Sequence, residues 1–322
     1  MEHPGLGRLL RAATVIMMLG TAGPALALDE LLLIAPAAPG GGWDQTARAL
    51  QETMQGQGVV KTVTVENIPG AGGTVGLAQF VDKHKGNGNA LLVNGLVMVG
   101  AILTNNSPVT LDQVTPIARL TGEYEVLVVP ASSEIKSLED LINKLKADPG
   151  SVSWGGGSAG GTDHILAGLI AQSVGIEGAK VNYVPFSGGG EALAAILGGH
   201  VTVGISGLGE WQGQIKSGEL RALAISAPQK LEGIDIPTLK EQGIDVELAN
   251  WRAVVGAPGL DDAQKKALVD TVDATVKSDG WKKVLAEKNW MDLYLAGDEF
   301  ASLLKAENER ITGTLKQIGL VK

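Results

Sequence analysis

The stretch APGGGWDQTARALQ, Ala38 to Gln51, directly follows the apolar run LLLIAPA (31–37), and its reading decides the fold. An apolar run, a burst of glycine and then apolar residues at helical spacing mark a strand, a tight turn and a helix start. Glycine lets backbone approach a ligand closely, and a helix start presents free N–H groups with partial positive charge. A turn of this kind suits an anion, whether phosphate or carboxylate.

Working outward, the pattern recurs three times. PGAGG (69–73) follows the strand-like TVTVEN (62–67) and opens a helix from Thr74 to about Lys83, which leads to ALLVNG (90–95). SVSWGGGSAGG (151–161) leads into the helical TDHILAGLIAQSVG, and VNYVPFSGGG (181–190) into EALAAILGGH. EVLVVPA (125–131) reads as a buried strand, and Ser137-Leu138-Glu139-Asp140 as a capping-box start to a helix that Pro149-Gly150 stops. VTVGISG, LRALAISA and ELANWRAVVGAPG (247–259) are further strands, and helical patterns over 261–278 and 298–317 close the chain. The alternation predicts an α/β fold. Open α/β sheets bind ligands beyond the carboxyl ends of their strands. Two lobes facing one another would therefore bring the four glycine turns to one cleft. The expected hinge lies in the strand-like crossings near 121–128 and 244–252.

Composition narrows the function. The chain has 322 residues and a net charge of −9, which argues against nucleic acid or an anionic membrane surface as partner. Arg8 and Arg11, the apolar AATVIMMLGTA and the triplet Ala25-Leu26-Ala27 predict a secretory signal peptide over residues 1–27, cleaved after Ala27. Its removal takes away two arginines and one glutamate, shifting the net charge to −10. A Gram-negative periplasm is the expected location. The absence of cysteine excludes disulfides, thiolate metal sites, a cysteine nucleophile and a lipoprotein anchor. The four histidines show no ligand spacing, so neither a metal nor a cofactor is expected.

The glycine turns admit three enzyme readings. No turn ends in the Gly-Lys-Ser/Thr of a phosphate-binding P-loop. Gly70 to Gly76 approaches a dinucleotide fingerprint, but its third glycine is displaced, and the next strand ends in Asn94 rather than an acid for ribose. Gly156-Gly157-Ser158-Ala159-Gly160 spells G-x-S-x-G between a strand and a helix, so a secreted serine hydrolase using Ser158 is the alternative from another class. Its weakness is the base: His164 lies one turn beyond Ser158, and His200 begins a strand.

The chain as a whole resembles the extracytoplasmic solute receptors of the tripartite tricarboxylate transporter family, closest to the tricarboxylate-receptor, Bug-like branch. The resemblance rests on APGGGWDQTARAL, VENIPGAGGTVG, SVSWGGGSAGGTDHILAGL, VPFSGGGEALAAILGGHVTVGISG, GELRALAISAP, IPTLKEQGIDVELANWRAVVGAPG and LAGDEFASLL, and covers nearly the whole chain after residue 27. It implies a two-lobed, type II Venus-flytrap binding protein without catalytic activity. Lobe 1 would comprise residues 28–125 plus 246–322, and lobe 2 residues 126–245. It also implies a small organic carboxylate as ligand, a di- or tricarboxylate such as citrate, handed by a monomeric receptor to a two-subunit membrane permease. Carried over by position, Gly41, Gly42, Trp43, Asp44, Gly72 and Gly73 would line the first lobe. Ser158, Ala159, Thr162, Asp163, His164, Ser187, Gly188, Gly189, Ser206 and Gly207 would line the second, with Trp251 and Arg252 on the returning segment.

Each of these has a structural reading beside the functional one. Asp44 would serve equally to complement the dipole of its helix, and a carboxylate ligand beside it would be repelled. Arg252 has an ion pair as its alternative. Trp43 and Trp251 are either cleft walls or core, and His164 is either a polar cap or a carboxylate contact. Ser158, Thr162 and Ser187 stand where N-caps stand, competing with a ligand for the same N–H groups.

Overall fold

The structure, a computed structural model, describes Met1 and residues 28–322, so the body of the expected signal peptide and its cleavage site lie outside the described residues. The first part of the chain alternates β1 (Glu30–Ala35), α1 (Gly42–Gly56), β2 (Thr62–Asn67), α2 (Thr74–Lys83), β3 (Ala90–Gly95) and α3 (Leu96–Thr104). A long strand, β4 (Thr115–Pro130), then leads to α4 (Leu138–Ala147). The middle repeats the rhythm with β5 (Ser153–Gly156), α5 (Thr162–Ser173), β6 (Asn182–Pro185), α6 (Gly189–Leu197), β7 (Val203–Gly207), α7 (Leu208–Lys216) and β8 (Leu220–Ile225). The chain finishes with β9 (Ala249–Gly256), α8 (Asp262–Val276), α9 (Asp279–Lys288), β10 (Met291–Ala296) and α10 (Gly297–Gln317).

The strands follow the order β2-β1-β3-β9-β4-β7-β5-β6, with β8 and β10 also paired to β4. β1 runs parallel to β2 and β3, and β5 parallel to β6 and β7, as strands joined through helices must. β4 joins the two groups. Its residues 115–124 pair with β9, and its earlier half also carries β10, while residues 125–130 pair with β7 and β8. The two-residue period of β4 feeds two cores: Leu127 and Val129 enter the large cluster, Val126 and Val128 a smaller one with Ala192, Ile196 and Trp211.

The second crossing is tied to the first by one side chain. Ser226 Oγ accepts from the Glu125 amide at 2.9 Å and donates to the Leu248 carbonyl at 2.6 Å. The returning chain thus joins β4 near the positions where the sequence placed a hinge.

The sequence reading differs from the structure in several places, and α7 is one element for which nothing was expected. β4 begins ten residues before the strand expected at 125, because Thr115, Arg119, Thr121 and Glu123 interrupt its apolar pattern. Two of those polar groups are consumed by β10: Arg119 donates to the Leu293 carbonyl and Thr121 to the Met291 carbonyl. α3 is apolar on nearly every side and mostly buried, so no amphipathic period announces it. α9 and β10 fill a stretch for which no element was expected.

Candidate ligand-binding site

The four glycine turns meet. Gly42, Gly70, Gly72, Gly73, Gly157, Ser158, Ser187, Gly188 and Gly189 line one cavity of about 60 Å³, together with Trp43, Ser206, Gly207, Glu210, Asn250 and Arg252. The turns touch across it. A methyl group on Gly188 would stand 3.5 Å from the Gly41 Cα, and one on Gly72 would stand 3.1 Å from the Ser158 Cβ. Thr104 at the end of α3 donates to the Ala159 carbonyl at 3.2 Å, closing the rim. Gly72 and Gly73 hold φ of 65° and 87°, a region other residues rarely enter, and this turns the chain sharply into α2.

The helices that begin here share one feature. α1, α2, α3, α5, α6 and α7 have Gly41, Gly73, Gly95, Gly161, Gly188 and Gly207 as N-caps, and none has a side-chain cap. Ser158, Thr162 and Ser187 therefore do not act as N-caps, and first-turn amides are not consumed by a capping side chain.

Beneath the turns lies a buried charge cluster. Arg252, on β9, is 2 % exposed and lies 5.1 Å over the Trp290 ring. Its Nη2 donates to Glu123 on β4 and, at 3.2 Å, to Glu210 on α7, while Nη1 has no protein partner. Glu123 also accepts from Trp290 Nε1 at 3.2 Å. Burial pushes the Glu123 carboxyl up, and Arg252 and Trp290 pull it back only in part. Burial raises Glu210 to about 8, against the pull of Arg252 and with the added push of Glu123 and Asp163. Asp163, on α5, accepts from the Gly157 amide, yet burial still raises it to about 6. Glu125, wholly buried, meets no donor, so burial and the neighbouring carboxylates hold it well above the usual range.

Of the residues singled out in the sequence, Gly42, Trp43, Gly72, Gly73, Ser158, Asp163, Ser187, Gly188, Gly189, Ser206, Gly207 and Arg252 line the cavity. Gly41 and Ala159 sit just behind its wall. Asp44 does not face it. Its carboxylate accepts from the Gly40 amide at 2.9 Å, from Arg48 Nε at 2.9 Å and from Asn67 Nδ2 at 2.9 Å, which pins the first turn from behind. Burial would raise its pKa, but these hydrogen bonds more than offset that and hold the group below its ordinary value. The repulsion expected between Asp44 and an anion therefore does not arise. Trp251 turns the other way and donates to Glu307 at 2.7 Å. Thr162 is buried away from the cavity.

His164 stacks on Tyr183, with ring centroids 4.1 Å apart, and its Nδ1 accepts from the Gly160 amide at 3.1 Å. Burial lowers its pKa to about 4, so the ring is neutral with its proton on Nε2. A histidine fixed as that tautomer cannot take a proton from Ser158 through Nε2. Among the described residues, no group of three or more histidines and acids could hold a metal ion, and no helix is long and apolar enough to cross a membrane.

Sequence reasoning missed Glu123, Glu125, Glu210 and Asn250. A signal for two of them was present: in GEYEVLVV, two acids stand two residues apart at the head of an apolar strand, where one face must bury both.

The strand order and the cavity between the two groups of strands define a mixed α/β periplasmic binding protein fold. BugD, a periplasmic binding protein, superposes with a TM-score of 0.82 at 21% identity, over 91% of this chain and 98% of its own. A Rhodopseudomonas palustris protein with bound malate gives 0.79 at 22% identity (89% and 98%), and an R. palustris protein with adipate 0.81 at 23% (90% and 97%). BugT of Bordetella pertussis is 29% identical over 293 residues, 89% of this chain and 88% of that protein. Residues 46–320 match the model of the tripartite tricarboxylate transporter family receptor, and the chain belongs to that family. The family consists of non-enzymatic solute-binding receptors, which sets aside the serine hydrolase reading of Ser158.

Proposed function

We propose that the protein captures a small organic di- or tricarboxylate, citrate among the candidates, and delivers it to a two-subunit membrane permease. The observation that carries this reading is the cavity lined by four glycine turns, with uncapped helix starts, and by Arg252, whose Nη1 is buried without a protein partner. An anion there gains charge-assisted hydrogen bonds in a dry site, each contributing about 1.5–3 kcal/mol. Malate and adipate, held by the two R. palustris relatives, belong to the same chemical class.

In this reading, residues 28–125 with 246–322 form one lobe and residues 126–245 the other, and the lobes close about the crossings of β4 and the 244–252 segment. The receptor acts as a monomer in the periplasm after cleavage behind Ala27. A thermal-shift screen of residues 28–322 against malate, adipate, citrate, sugars and simple cations tests the claim. One or more acids raise the melting temperature, while sugars and cations do not. A response to sugars or cations alone overturns it.

A further inference from the structure

The cavity of a carboxylate receptor is expected to be positive, yet here four buried carboxyl groups, Glu123, Glu125, Asp163 and Glu210, surround a single guanidinium. A dianionic ligand would add two more negative charges. Full ionisation of such a group in a buried space would cost many kcal/mol, so protons must be held somewhere. The hydrogen bonds show where. Glu123 takes Arg252 and Trp290 and is served as an anion. Glu125 has no hydrogen-bond partner at either oxygen, so a charge there would be unserved and burial favours its neutral form. Asp163 accepts from the Gly157 amide.

Glu210 remains. One of its oxygens shares Arg252 Nη2 with Glu123, at the longer distance of 3.2 Å. The other, Oε2, is buried without a hydrogen-bond partner and stands where a Cβ on Gly189 would strike it, at the cavity wall. Arg252 Nη1 is the other unpartnered group of this pair. An ionised Glu210 would repel a bound anion, whereas a protonated one presents an O–H donor beside the guanidinium N–H.

We propose that Glu210 is protonated when ligand is held and donates from Oε2 to a ligand carboxylate, with Arg252 Nη1 as the second donor, so that capture is coupled to uptake of a proton. The proposal rests on the carboxylate-receptor reading above. In it, Glu210 is a specificity-determining residue: it excludes cationic or strongly basic groups from that end of the cavity only while it carries its proton. The charged and titratable groups facing it are Arg252 on β9, Glu123 and Glu125 on β4 and Asp163 on α5, with Tyr183 on β6 behind Asp163. Burial places Glu210 at about 8 and Asp163 at about 6, so a range from about pH 7 to 9.5 spans the titration of Glu210 above that of Asp163. The E210Q variant separates Glu210 from Glu123 and Glu125, which burial also raises. A carboxyl that titrates at about 8 without ligand and must be protonated to hold one gives affinity that is full below about pH 8 and declines as pH rises above it.

The test is calorimetric titration of the protein with malate, adipate and citrate from about pH 7 to 9.5, in buffers of differing ionisation enthalpy. Malate and adipate have finished their own titration by about pH 6.5. The proposal expects net proton uptake and a Kd for the dicarboxylates that weakens by as much as about tenfold per pH unit. E210Q, whose amide still donates but cannot titrate, retains measurable binding and loses the pH slope. E210A, with no donor, binds more weakly than E210Q at every pH. Dicarboxylate binding that is independent of pH and buffer overturns the proposal and leaves the receptor reading standing. If none of the three acids binds at any pH, both fall.

Discussion

The helices of this protein begin in two ways. Those that start at the cavity stand on glycine and have no capping side chain: Gly41, Gly73, Gly95, Gly161, Gly188 and Gly207. Helices away from it are capped by their own side chains: Ser137 on α4 and Asp261 on α8 in full capping boxes, and Ser278 on α9. Against a glycine N-cap a side-chain cap is worth only about a few tenths of a kcal/mol, so the first group forgoes a small stability that the second group takes. Ligand capture explains the difference, because a capped amide is not available to an anion. The exception is α10, which begins at Ala296 without a cap although it lies outside the cavity; a bare start alone therefore does not mark the site.

The comparison can be broken at its strongest point first. Arg252→Ala removes the only guanidinium at the cavity and leaves Glu123 and Glu210 buried without their cation. The expected result is loss of any melting response to organic acids, and destabilisation of about 3–5 kcal/mol at neutral pH. That destabilisation shrinks as the pH is lowered, because both carboxyls are then neutral. Denaturant unfolding at pH 8 and pH 6 measures it.

Gly189→Ala places a methyl group against Glu210 and 2.6 Å from the Ser206 Oγ. Affinity for the captured acid should fall by at least about tenfold, some 1.4 kcal/mol, and the overpacking against buried Glu210 should also lower the unliganded stability by about 1–3 kcal/mol. Asp44→Asn tests the opposite assignment, a residue in the binding stretch that serves only the fold. Its loss should cost about 1–3 kcal/mol of stability without changing which acids bind. Because the folded carboxyl is held below its ordinary value, the wild type carries this contribution above the ordinary carboxylate pKa and loses it as pH falls through the lowered value. The stability gap between D44N and wild type should therefore close in acid. Smallest of all, Ser137→Ala should cost about 1 kcal/mol and leave ligand binding untouched, since α4 lies far from the cavity in function and in cap chemistry.

The same contrast explains what the sequence made legible. Glycine runs between an apolar strand and a helical period can be read directly, and all four turns so identified do meet at one cavity. β2, α2 and β3 likewise fall on the residues expected, since their periods are clean and glycine or polar residues bound them. Charge pairing is not legible in the same way. Arg252, Glu123 and Glu210 come from three elements distant in sequence, and no spacing rule connects them. The roles of Asp44 and His164 were likewise undecided in sequence, because a carboxylate or imidazole in a first turn can face either side of it. The tertiary hydrogen bonds to Asn67, Arg48 and Gly40 decide the first, and the Gly160 amide and the Tyr183 ring the second.

The central claim is that an anion sits where the bare helix starts meet Arg252. A crystal structure of residues 28–322 with malate, or with whichever acid raises the melting temperature most, tests it directly. The account predicts a ligand carboxylate within about 2.7–3.2 Å of Arg252 Nη1, with its remaining oxygens on amides of the glycine turns. A ligand that places a cationic group against Glu210 and leaves Arg252 Nη1 unpartnered would contradict it.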